Sequence, residues 1–128
     1  MKNEKRNRKL RARLLTFSVD ILSFLKTLPY RKEYDVLRYQ LSKSATSIGA
    51  NYEESQTSTY REFLQKVKIA LREANETTYW LKIIDRLDLA KKEKISELIQ
   101  ESSEISLILG SIASKADKKI KGENQNEI

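Results

Sequence analysis

The chain contains no cysteine and no histidine among its 128 residues. That inventory excludes a disulfide framework, thiolate chemistry, imidazole acid/base catalysis and the usual zinc sites. One proline and three glycines leave little material for the turns of an all-β fold. No apolar run approaches the roughly 20 residues a membrane-spanning helix needs, and no apolar signal segment backs the opening MKNEKRNRKLRAR. The expectation is a soluble, cytoplasmic protein with no membrane partner, no small-molecule substrate and no cofactor.

Metal catalysis inside a helical bundle is the main enzymatic alternative, but di-iron sites of that kind use Glu-x-x-His pairs that cannot be built without histidine. An all-carboxylate site from Glu53, Glu73 and Glu76 would lack a matched second pair. No Ser, Lys or Asp grouping has the local context of a known nucleophile motif. The chain is therefore expected not to be an enzyme.

What the sequence does have is charge, at 34% of residues, and apolar residues at helical spacing. The stretch Ala70 to Ile84 is the clearest case: Ala70, Ala74, Thr77, Leu81 and Ile84 form one stripe that begins earlier at Phe63 and Val67. Helix 1 is expected over about 8–28, where Leu10, Leu14, Phe17, Ile21, Phe24 and Leu28 repeat at four and three until Pro29 ends it. Leu15, Leu22 and Leu25 widen that stripe, so this helix is expected to touch neighbours on two sides. Helix 2, about 33–54, puts Leu37, Leu41, Ala45, Ile48 and Tyr52 inside and Arg38 and Lys43 outside, with Gly49 its weak point.

Thr59 and Glu62 form a T-x-x-E capping box that opens helix 3, about 60–89. Helix 4 is expected over about 93–119, carried by Ile95, Leu98, Ile105, Leu109 and Ile112, with a disordered tail over 121–128. Short links between four amphipathic helices favour an all-α, antiparallel up-down-up-down four-helix bundle. The organisation is then a basic arm over 1–13, a bundle over 14–120 and the tail. Asn51 and Asn75 either fix register as buried polar residues or are merely half-exposed, and the register role is the preferred reading.

The net charge of +7 is unevenly placed. Residues 1–13 hold Lys2, Lys5, Arg6, Arg8, Lys9, Arg11 and Arg13 against Glu4, net +6, which leaves 18 basic and 17 acidic side chains elsewhere, net +1. Such arms bind phosphates without base specificity, or simply aid solubility. A second basic set, Arg61, Lys68 and Arg72, shares one face of helix 3, although Glu62, Glu73 and Glu76 lie close enough for ordinary surface pairs. Tyr79 and Trp80 can stack on bases or be covered by another protein; the surplus apolar surface favours packing. Leu15, Leu22, Tyr79, Trp80, Leu107 and Ile108 are the expected contacts between copies in a homo-oligomer.

At SKSATSIGANYEESQ (Ser42 to Gln56) and FLQKVKIALREANETTYWL (Phe63 to Leu81), the sequence resembles the 23S ribosomal RNA intervening-sequence proteins. The resemblance runs from roughly Phe17 to Leu109, with Arg72 where many members have lysine. It implies a small four-helix bundle with no associated enzymatic activity. A related branch, the accessory variability determinant proteins of diversity-generating retroelements, implies a homopentamer with a basic surface that associates with RNA and a reverse transcriptase. The resulting expectation is an oligomeric scaffold for RNA or a ribonucleoprotein; a protein-only interaction module is the alternative.

Overall fold

The computed structural model describes residues 2–57 and 59–126, with side chains described over 4–57 and 59–123. Four helices account for nearly all of it: α1 Lys2–Leu25, α2 Asp35–Ser55, α3 Tyr60–Arg86 and α4 Lys92–Asn126, with a short 3-10 turn, Lys32–Tyr34, ahead of α2. The chain is an all-α four-helix bundle, as expected. Consecutive helices pack side by side along α1–α2–α3–α4, whereas α1 and α4 barely meet. Three seams are thus tight, while the fourth, between α1 and α4, is wider and opens into a groove near the start of α1.

The apolar stripes build the core. Leu14, Phe17 and Ile21 of α1, Leu41 and Ile48 of α2, and Ile95, Ile105 and Leu109 of α4 are almost fully buried. Ala70, Ala74, Leu81 and Ile84 of α3 have no exposed surface, so the central stripe of this helix faces the core throughout. Gly49 lies where α1 meets α2: a Cβ there would stand 3.5 Å from Cβ of Leu14. That is ordinary contact, so alanine would fit and a longer side chain would push α1 away.

Register is fixed by hydroxyls rather than by the two asparagines. Asn75 is exposed, and Asn51 donates to the Ser47 carbonyl of its own helix at 2.8 Å. In their place the Thr77 hydroxyl lies 2.9 Å from that of Ser44 on α2, and Thr78 lies 2.5 Å from Ser102 on α4. Ser44, Thr77 and Ser102 are buried. Small hydroxyls suit this position because helix carbonyls can satisfy them at the same time: Thr77 is 2.8 Å from the Glu73 carbonyl and Ser102 is 3.2 Å from that of Ala74.

Several helix ends differ from expectation, each for a local reason. The helix of α1 stops at Leu25, not Leu28, because the turn tightens ahead of Pro29, with Thr27 N–H donating to the Phe24 carbonyl at 2.9 Å. Arg38, expected outside, folds back: its Nη2 donates to the carbonyls of Leu28 and Pro29 at 2.8 and 2.6 Å, and its guanidinium lies 4.3 Å from the Tyr30 ring. At the other end α1 is helical from Lys2, so the basic arm is the first half of a packed helix. Likewise α4 continues to Asn126 through most of the segment expected to be disordered; buried Ile120 and a Lys121–Asp117 pair at 3.0 Å support that extension. Residues 127–128 lie outside the described residues.

The Thr59 side chain accepts from Glu62 N–H at 3.3 Å, which is half of the expected capping box. α3 ends at Arg86 rather than Leu89, giving a helix about 40 Å long. The stop is a Schellman motif: Leu89 N–H reaches the Ile84 carbonyl, Asp88 N–H reaches that of Asp85, and Asp88 takes the left-handed conformation at φ 56°. Glycine normally occupies that position, and an aspartate there carries a conformational cost. Asp88→Gly is expected to raise stability by about 0.5–1 kcal/mol, read as a higher urea midpoint at unchanged m value.

Candidate nucleic-acid interface

Antiparallel helices bring the start of α1, the end of α2, the start of α3 and the end of α4 to one pole. The basic arm is therefore joined there by Lys115, Lys118, Lys119 and Lys121, a set that sequence reading passed over because most of the chain separates it from the arm. The signal was present in SKADKKIKG, where four lysines face one aspartate. Lys119 sits 4.5 Å from the Tyr60 ring at the head of α3.

The arm residues divide by helix face. Lys5, Arg6, Arg8 and Lys9 are exposed. Arg11 instead pairs in bidentate fashion with Glu53 of α2 at 2.9 and 2.6 Å, and Arg13 does the same with Glu101 of α4 at 2.8 and 2.6 Å. These two arginines hold α1 to its neighbours, which leaves less of their charge for a ligand. The side chain of Lys2 lies outside the described ones. Beside them Tyr52 donates to Asn7 at 2.6 Å and Asn7 donates to Gln56 at 2.6 Å, tying the arm to the end of α2. Burial pushes the Tyr52 hydroxyl above its ordinary range.

The hydrogen bonds from Arg11 hold the Glu53 carboxyl below the usual carboxylate range. A depressed carboxylate contributes stability that is present above its unfolded value and is lost as pH falls through the folded one. Acid titration of stability is therefore expected to be shallower in Glu53→Gln than in the parent, with the difference shrinking in high salt because the pair is half-exposed. Denaturant midpoints between neutral pH and the acid range check this.

On α3, Arg61, Lys68 and Arg72 are all exposed, and Tyr79 continues the same outward line. Tyr79 is 60% exposed, whereas Trp80 turns inward, packs against the core and donates its indole N–H to Glu76 at 3.2 Å. The two rings meet edge to face at 5.5 Å. Burial, then the neighbouring Glu76, raises the Glu73 carboxyl above its ordinary range. Glu53 is drawn to Arg11 and Glu76 to the Trp80 indole.

The expected oligomer residues do not form one patch. Leu15 and Leu22 are exposed on α1, with Leu15 lining a cleft against α2; Tyr79 and Trp80 lie on α3; Leu107 and Ile108 line the open seam between α1 and α4. That seam is a groove of about 920 Å³, floored largely by apolar side chains and edged by Arg6, Lys9, Arg13 and Lys115. Among the described residues no helix is long and apolar enough to cross a membrane.

Comparison with known proteins agrees with this architecture. A crystal structure from Bacteroides thetaiotaomicron, described as a protein of unknown function from the S23 ribosomal protein family, superposes with a TM-score of 0.75 at 36% identity, covering 81% of this chain and 97% of its own. No curated protein matches. The family described as 23S rRNA-intervening sequence protein matches residues 7–111, which span the second half of the arm, the core stripes and the α1–α2–α3–α4 seams. The chain belongs to the 23S rRNA-intervening sequence protein family.

Proposed function

We propose that this protein is a nonenzymatic, oligomeric scaffold that binds RNA or a ribonucleoprotein partner through its cationic pole. The carrying observation is that Lys5, Arg6, Arg8 and Lys9 stand exposed on the first turns of α1, beside the lysine-rich end of α4. Fixed cations on packed helices cost less ordering on binding than the same residues on a loose arm. The exposed line of Arg61, Lys68, Arg72 and Tyr79 extends the surface that a phosphate backbone would follow. Assembly as a pentamer, in keeping with the resemblance, would gather five such poles and raise the local field well beyond that of one chain. A reverse transcriptase is the protein partner that the same resemblance suggests.

Two measurements test this reading. Full-length protein is expected to retain structured or single-stranded RNA at about 0.1 M salt and to release it as salt rises. Light scattering is expected to give a multiple of the 14.9 kDa chain, near five copies. A monomer mass at micromolar concentration overturns the oligomer, and an absence of salt-sensitive RNA binding overturns the RNA role in favour of a protein-only module.

A further inference from the structure

The open seam between α1 and α4 points to a function that the cationic pole does not explain. Its floor is made by Leu10 of α1, Phe63 of α3, and Leu107, Ile108, Ile112 and Ala116 of α4. Leu107 is 75% exposed and adjoins half-buried Ile108 and Ile112, so the apolar surface is continuous there. Ile108, Ile112 and Ala116 follow one another at four-residue spacing, so they form a ridge with a groove alongside it. Both walls are cationic: Arg6 and Lys9 stand on α1 and Lys115 on α4, with Glu4 the one carboxylate lining the groove among the described residues. Arg13 and Glu101 bridge α1 to α4 beside it.

We propose that this groove binds one amphipathic helix of a partner protein, its apolar face on the floor and carboxylates on both flanks. A helix presenting aliphatic residues at i, i+3, i+4 and i+7 fits a floor of this kind, and glutamates or aspartates beside them meet Arg6, Lys9 and Lys115. Charge complementarity selects against a second copy, and the groove's side chains select against nucleic acid. A second copy of this chain would offer its exposed stripe, Leu15, Val19 and Leu22, but that line runs between Arg8 and Lys26 and brings the wrong sign. For nucleic acid the rings at the groove are already engaged: exposed Tyr60 carries Lys119 over its face at 4.5 Å and meets half-buried Phe63 at 5.8 Å, so neither offers a free face for base stacking.

The probe is a fluorescein-labelled peptide of about 18 residues, roughly five helical turns, with leucines on one face and glutamates on its flanks. A second peptide carries lysine in place of every glutamate. Anisotropy titrations with full-length protein at about 0.1 M salt are expected to show micromolar binding of the acidic peptide and at least tenfold weaker binding of the lysine peptide. Leu107→Asp and, separately, the pair Arg6→Glu with Lys9→Glu are each expected to weaken the acidic peptide at least tenfold. Leu107 is a surface position, and unchanged helicity and melting confirm that the variant is folded. The proposal is overturned if the acidic peptide fails to bind, if both peptides bind equally, or if Leu107→Asp leaves affinity unchanged. It is also overturned if Leu107→Asp instead lowers the oligomer mass, which would mark the groove as a contact between copies. RNA binding by Leu107→Asp is read in parallel: retained RNA affinity with lost peptide affinity supports the groove, and parallel loss of both overturns it. Failure of the parent protein to bind RNA, with peptide binding intact, overturns only the RNA role.

Discussion

Replacing Lys5, Arg6, Arg8 and Lys9 together by glutamate is expected to weaken RNA binding by about 100-fold or more near 0.1 M salt. Each phosphate contact on a single strand releases a condensed counterion with a slope of about 0.7, worth roughly 1 kcal/mol at that ionic strength. Losing four contacts should also flatten the dependence of log affinity on log salt by about 3. All four residues are exposed, so the fold is expected to survive. Deleting residues 1–13 would be less informative, because it also removes Leu10 from the core and both bridging arginines. Filter binding over a salt series checks the prediction. An unchanged slope would assign these four cations to solubility.

The largest effect on stability is expected from Phe17→Ala, which should cost about 3–5 kcal/mol. Phe17 is 1% exposed within the core cluster, and no neighbouring side chain can swing across to refill its volume without opening another gap. Against a typical domain stability of about 5–15 kcal/mol, that is a fifth or more of the total and lowers the melting point by about 10–20 °C. The loss should not be uniform. α1 is held chiefly along its seam with α2, while α3 is packed on both sides, so the variant should open first at α1. Amide exchange is expected to accelerate most over Lys2–Leu25 and least over Tyr60–Arg86.

The class of fold was legible because Leu14, Phe17 and Ile21, or Ala70, Ala74 and Leu81, keep helical phase over many turns, and such long stripes have no other way to be buried. The ends were less legible for reasons that differ from case to case. Pro29 reaches back three residues rather than one, since its approach tightens the preceding turn. Asp88 closes α3 in a conformation normally left to glycine, so no composition cue marks it. Asn51 and Asn75 read as register residues because both fall inside the blocks that carry the family resemblance, yet the shorter Ser44, Thr77 and Ser102 fit between close helices and also satisfy helix carbonyls. Among the arm cations, only tertiary placement shows that Arg11 and Arg13 are claimed by Glu53 and Glu101. The open seam is likewise invisible to periodicity, which reports what faces a core but not whether the last pair of helices closes over it.

The cationic pole carries two helix starts and two helix ends, α1 and α3 against α2 and α4. Their backbone dipoles oppose one another, so little of the pole's field comes from the main chain and nearly all of it comes from side chains. Those side chains are lysines and arginines, in a protein without histidine. A ligand held there would register changes in ionic strength and in competing polyanions, an electrostatic grip set by the surrounding ions.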